Sequence, residues 1–186
     1  MKSIYLWLCL FLLVGACRGP EGLPGPRGPK GDKGDQGIDA ELPYVFEIEF
    51  DFTPTNDYNI FYELPSNFQT YDSDMTLVYL LWSYDDYGDP IWRLLPQSTI
   101  MEFGWLQYNY DFTQYDVSIF MDADFPLTLL GPDYTHDHVA RVVILPALYA
   151  ANARRTVDFS DYNAVKEAYG LPEMHNPKKS KWGRPF

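Results

Sequence analysis

Cysteine is nearly absent from this chain. Cys9 and Cys17 are the two in 186 residues, and both lie in the first seventeen. That excludes a disulfide scaffold for everything downstream, and it excludes a thiol nucleophile beyond Cys17. The folded part must hold by packing alone. Cations are the second shortage. Residues 40–156 carry eighteen Asp or Glu and four Lys or Arg, a formal charge of about −14. Such a surface repels phosphate backbones, so a nucleic-acid partner is excluded. Histidine occurs three times, as His136, His138 and His175, with no third ligand at a zinc-like spacing beside the first two. Gly-x-Ser-x-Gly, phosphate-loop and dinucleotide fingerprints are all missing. No cofactor is expected.

What is present begins at Lys2 and the apolar run from Ile4 to Leu13, followed by Val14-Gly15-Ala16-Cys17. A basic start, a short apolar core and small residues before a cysteine describe a targeting segment, and the run is too short to span a bilayer comfortably. The junction Leu13-Val14-Gly15-Ala16-Cys17 resembles that of bacterial lipoprotein signal peptides. The resemblance implies that residues 1–16 are removed and that Cys17 becomes a lipidated N-terminus. Its partner is then membrane lipid, and two or more acyl chains give stable anchoring. The implied location is the bacterial cell envelope, with the outer membrane as the expected site.

Glycine then occupies every third position: Gly19, Gly22, Gly25, Gly28, Gly31, Gly34 and Gly37. Pro20, Pro24, Pro26 and Pro29 sit between them. Only glycine fits the axis of three wound polyproline-II strands, so residues 17–39 read as a lipidated cysteine plus a collagen-like stalk. Two uses stay open. Residues 19–39 either assemble a homotrimer or act as a single-chain spacer, which would reach roughly 65 Å at polyproline-II rise.

Residues 40–172 form the candidate globular domain. Tyr44–Phe50 alternates strictly, and Tyr58–Tyr62, Met75–Tyr84, Ile91–Leu95, Thr99–Phe112, Tyr115–Met121 and Val139–Leu145 continue the pattern. Met75–Tyr84 is apolar enough to be central. Asp85–Pro90 reads as a hairpin loop, and Pro96 and Pro146 mark strand ends. These runs predict a mainly β fold, an antiparallel β-sandwich or a barrel-like sheet, with one short C-terminal helix. Ser160 is the expected cap of that helix, Tyr162, Val165 and Ala168-Tyr169 its apolar stripe, and Gly170 its stop. Pro146–Ala151 is a candidate second helix or turn. Asp51-Phe52-Thr53 and Asp111-Phe112-Thr113 head two similar segments, read as shared turn chemistry. Residues 173–186 form a basic tail carrying Lys178, Lys179, Lys181 and Arg184.

Leader, glycine stretch and aromatic acidic domain together resemble a group of small lipoproteins of Bacteroidota-like bacteria. The segments Val78–Trp82, Ile91–Gln97 and Val157–Tyr162 carry that resemblance, which implies no activity and no catalytic residue. The residues themselves offer three candidate chemistries. Trp82, Tyr84, Tyr87, Trp92 and Trp105 are a candidate stacking surface for a glycan or a protein ligand, because fifteen Tyr and five Trp exceed the needs of one small core. Glu47 with Glu49, or Asp122 with Asp124, are the paired carboxylates an envelope hydrolase would use. Asp85, Asp86 and Asp89 crowd one loop in a spacing that matches no calcium loop. The expected function is display of the β-rich domain for binding or assembly, without enzymatic activity. A carbohydrate-binding module and a hydrolase are the alternatives.

Overall fold

The alternating runs become strands in the computed structural model, which describes residues 42–66, 68, 70–147, 157–175 and 177. Cys17 and the glycines from Gly19 to Gly37 lie outside the described residues, as does most of the basic tail. The strands are β1 (Tyr44–Phe50), β2 (Asn59–Glu63), β3 (Met75–Tyr84), β4 (Pro90–Leu94), β5 (Gln97–Met101), β6 (Gly104–Phe112), β7 (Asp116–Ala123) and β8 (His138–Leu145). They form two four-stranded antiparallel sheets, ordered β1-β8-β3-β4 and β2-β7-β6-β5. Of the two architectures expected, the sandwich is the one adopted.

The first sheet is buried on both faces at its centre, and its sequence shows why. All eight residues of β8 are buried, so the strand reads as a continuous run, without alternation. Val142 and Ile144 face the second sheet, while Val143 and Leu145 face the other way. β3 beside it is interior too, as its apolar length predicts. Between the sheets, Val78, Leu80, Leu106, Tyr108, Val117, Ile119 and Val142 are at most 1 % exposed. The opposite side of the first sheet is covered by helix α2 (Tyr162–Tyr169), which lays Tyr162, Val165 and Tyr169 over Tyr79, Val143 and Leu145. Each such side chain contributes roughly 1.5–3 kcal/mol through its removal from water. A single helical turn, α1 (Pro132–Thr135), precedes β8.

Three local expectations change. The run Thr99–Phe112 is two strands, because Glu102-Phe103 turns the chain between Met101 and Gly104. Gly104 has φ +143°, a region closed to side-chain-bearing residues, and a Cβ there would meet the Asp124 carboxylate. Helix α2 is capped by Asp161, whose carboxylate accepts from Asn163 N at 2.8 Å, and not by Ser160. The Ser160 hydroxyl is instead taken by Asp158 at 2.7 Å. Gly170 ends the helix at φ 63°, as expected. The two Asp-Phe-Thr segments, read as sharing one turn chemistry, make different connections: the first carries the chain from one sheet to the other, the second closes the β6–β7 hairpin. Of Pro146–Ala151, only Pro146 and Ala147 fall among the described residues.

Candidate functional site

The five aromatic residues singled out by sequence are distributed over the layers and do not meet on one surface. Trp82 points between the sheets, 3 % exposed and edge-on to Tyr108 at 6.0 Å, with the Arg93 guanidinium 4.5 Å from its ring centroid. Trp92 lies on the helix side of the first sheet, 4.1 Å from the Arg141 guanidinium and 6.2 Å from Tyr162. Tyr84 is half-buried, its hydroxyl donating to Pro177 O at 2.9 Å. Tyr87 stands exposed at the tip of the β3–β4 loop. Trp105 alone of the five lies on an uncovered sheet face.

That face is the outer side of the second sheet. Strand alternation puts Leu106, Tyr108, Val117, Ile119 and Met121 into the core, so their sequence neighbours point outward. Cross-strand register then sets the rows. Phe61 stands opposite Ser118, which stands opposite Asp111. The next row is Asn59, Phe120 and Asn109. After it come Asp122, Gln107 and Ser98, and finally Trp105 beside Ile100. Ile100 is 90 % exposed, Phe61 65 % and Trp105 43 %.

Polar groups on this face are organised by neighbours. Gln107 Nε2 donates to Ser98 Oγ at 2.9 Å, and Asn109 Nδ2 reaches Gln107 Oε1 at 3.5 Å. Asp124 Oδ1 accepts from Trp105 N at 2.8 Å, which fixes the start of β6. No Lys or Arg occurs in β2 or anywhere in residues 94–140, so the sheet is free of cationic side chains apart from any histidine charge.

Sequence reasoning missed Phe61, Phe120, Ile100, Gln107 and Asn109. The period-2 pattern that identifies them is present in the sequence. Without the Glu102-Phe103 turn, however, the register of β5 on β6 is unassigned, and the outward set cannot be assembled.

A second feature lies at one end of the sandwich, where the loop after β2 meets the β6–β7 hairpin. There a recess of about 150 Å³ is lined by Tyr71, Asp72, Asp74, Phe112 and Gln114 among others. Sites for drug-sized ligands start at about 300 Å³, so this one admits little more than a single ring. Its walls are tied together by Thr70 Oγ1 donating to Gln114 O and by Leu64 N to Tyr115 O at 2.8 Å. Asp74 orders the loop, accepting from Tyr71 N at 3.0 Å and Ala147 N at 3.3 Å.

Glu47 and Asp85, of the other candidates, hold structural bonds. Glu47 is paired with Arg141 at 2.5–2.9 Å. Asp85 accepts from Tyr87 N and Asp89 N at 2.9 and 2.8 Å, organising its own loop. His136 and His138 do not share one extended strand. His136 ends α1, Asp137 has φ 53°, and β8 starts at His138. His136 Nδ1 lies 2.8 Å from Thr135 Oγ1, and buried His138 Nε2 lies 2.8 Å from Tyr134 O. Among the described residues, no three His, Cys, Asp or Glu side chains come close enough to hold a metal ion. Burial raises the hydroxyl pKa of Tyr110, and of Tyr79 more strongly. Tyr110 donates to Thr76 O at 3.1 Å, a bond between the sheets.

No family model, curated protein or solved structure matches this chain significantly.

Proposed function

We propose that this chain is a lipid-anchored protein of the bacterial cell envelope, held at Cys17 in the outer membrane, and that its sandwich binds a partner through the open face of the second sheet. Residues 19–39 carry the acidic domain away from the lipid. Support for the anchor is the leader and its junction at Cys17, and support for the stalk is the unbroken glycine period.

The observation that carries the binding role is the asymmetry of the two outer faces. Helix α2 seals the first sheet over Tyr79, Val143 and Leu145, whereas the second keeps Phe61, Ile100 and Trp105 in solvent. Exposed apolar side chains gathered on one face and rimmed by polar groups mark an interaction surface.

Hydroxyl-radical footprinting of intact cells against detergent-purified protein tests this. Phe61, Phe120 and Trp105 are expected to be protected in cells, with Tyr87 reacting equally in both. Equal reactivity of all four would remove the binding role.

A further inference from the structure

We infer that the partner on this face is a neutral polyhydroxylated chain, a glycan, lying diagonally across β2, β7 and β6 from Phe61 over Phe120 to Trp105. This rests on the binding role just proposed.

Geometry gives the track. Neighbouring strands are about 4.8 Å apart and alternate residues about 7 Å apart. Phe61 and Phe120 sit on adjacent strands one row apart, and Trp105 lies two rows beyond Phe120 on the next strand. The steps are therefore about 8 Å and about 14 Å. Gln107 stands in the longer gap and Asn109 beside Phe120, both on the same strand as Trp105. Rings at both ends and amides between them form an extended strip, which suits a linear ligand better than a compact one.

Charge complementarity selects the ligand class. Glu63, Asp111, Asp116 and Asp122 point outward on this sheet, and it carries no Lys or Arg. Polyanions are repelled. The acceptors offered are carboxylates and amide oxygens, which complement hydroxyl donors, and the amides also donate. The C–H faces of pyranose rings have positive hydrogens for the negative faces of Phe and Trp. A sugar chain uses every group type present. A basic peptide competes for the same groups, its cations and N–H groups for the carboxylates and its backbone carbonyls for the amide donors of Asn59, Asn109 and Gln107, and oligolysine enters the test for that reason.

The test uses the full chain in a detergent without a sugar headgroup. Calorimetric titration would employ oligosaccharides of glucan, mannan, xylan and galactan, a polyuronate and an oligolysine. At least one neutral oligosaccharide is expected to bind. Phe120→Ala and Trp105→Ala should each weaken it at least about tenfold, while Tyr87→Ala leaves it unchanged and all three variants keep the parent melting temperature.

Three results would overturn the inference: binding of oligolysine alone, binding insensitive to both face variants, or no binding to any neutral oligosaccharide. Footprint protection in cells combined with any of these retains the binding face and rejects the glycan. An unprotected face rejects both.

Discussion

Arg141 on β8 stands directly opposite Glu47 on β1, and its guanidinium lies against two rings that meet it at a corner, 4.1 Å from the Trp92 centroid and 4.5 Å from that of Tyr162. The side chains of the pair are only 6 % and 20 % exposed. One cation thus links the edge strand, the central strand, β4 and helix α2. It also explains how an otherwise apolar strand tolerates an arginine, since both its charge and its flat face are matched.

Arg141→Ala leaves Glu47 without its cation in a largely dry site. The expected loss is about 3 kcal/mol or more, read as a lower denaturant midpoint. Arg141→Lys keeps the charge but not the planar stack and should fall between. The double change Glu47→Leu with Arg141→Met should recover most of the loss. Failure of Arg141→Ala to move the midpoint would remove the pair from the account of stability.

Tyr79 makes the helix contact sensitive to alkali. Its hydroxyl donates to Phe159 O at 2.7 Å, and burial, followed by the charges of Tyr110 and Tyr162, holds its pKa above the ordinary tyrosine value. The unfolded chain ionises this group near pH 10, while the folded chain retains the proton. Stability from Tyr79 is therefore complete below about pH 10 and falls as pH rises towards the folded value. Tyr79→Phe should cost about 0.5–1.5 kcal/mol at neutral pH and flatten the decline above pH 10. An unchanged alkaline slope in the variant would contradict this assignment.

Gly104 couples the turn to the candidate site. Its φ of +143° suits glycine alone, and an added Cβ would press on Asp124 Oδ1, the acceptor that fixes Trp105 N. Gly104→Ala should lower stability by about 1–3 kcal/mol. It should also change the fluorescence anisotropy of Trp105, measured in a background with the other tryptophans replaced by phenylalanine. A variant matching the parent in both readings would show that the turn does not position Trp105.

Most strands were legible, β1 through its alternation and β3 through its continuous apolar run, and both have the limits that Tyr44–Phe50 and Met75–Tyr84 suggest. The sealed face was legible in large part: Tyr162, Val165 and Tyr169 of the expected stripe are buried, while Ala168 beside them is exposed. What escaped was long-range. Trp82 and Trp92 look equally available in the sequence, yet Trp82 is buried between the sheets and Trp92 is half-buried beside α2, on the face opposite the second sheet. Conversely, Phe61 and Phe120 look like core residues until Ile60↔Ile119 pairing turns them outward together.

The glycine stretch makes a prediction of its own. Seven Gly-X-Y triplets between Cys17 and the domain either wind three chains or space one. The proposed anchor would confine chains to a surface and raise their effective concentration, and a trimer, if the stretch winds three chains, is expected in detergent extracts of native membrane. Deletion of residues 18–39 should convert it to a monomer by light scattering. A monomer in both samples would make the stretch a spacer.

The proposed display at a membrane rests on Cys17, and the mass of the mature chain extracted from the membrane fraction tests it most directly. The account predicts an N-terminal peptide that begins at Cys17 and carries a diacylglyceryl group, with the chain released into the soluble fraction by Cys17→Ser. A mature chain that begins elsewhere, or an unmodified Cys17, would contradict it.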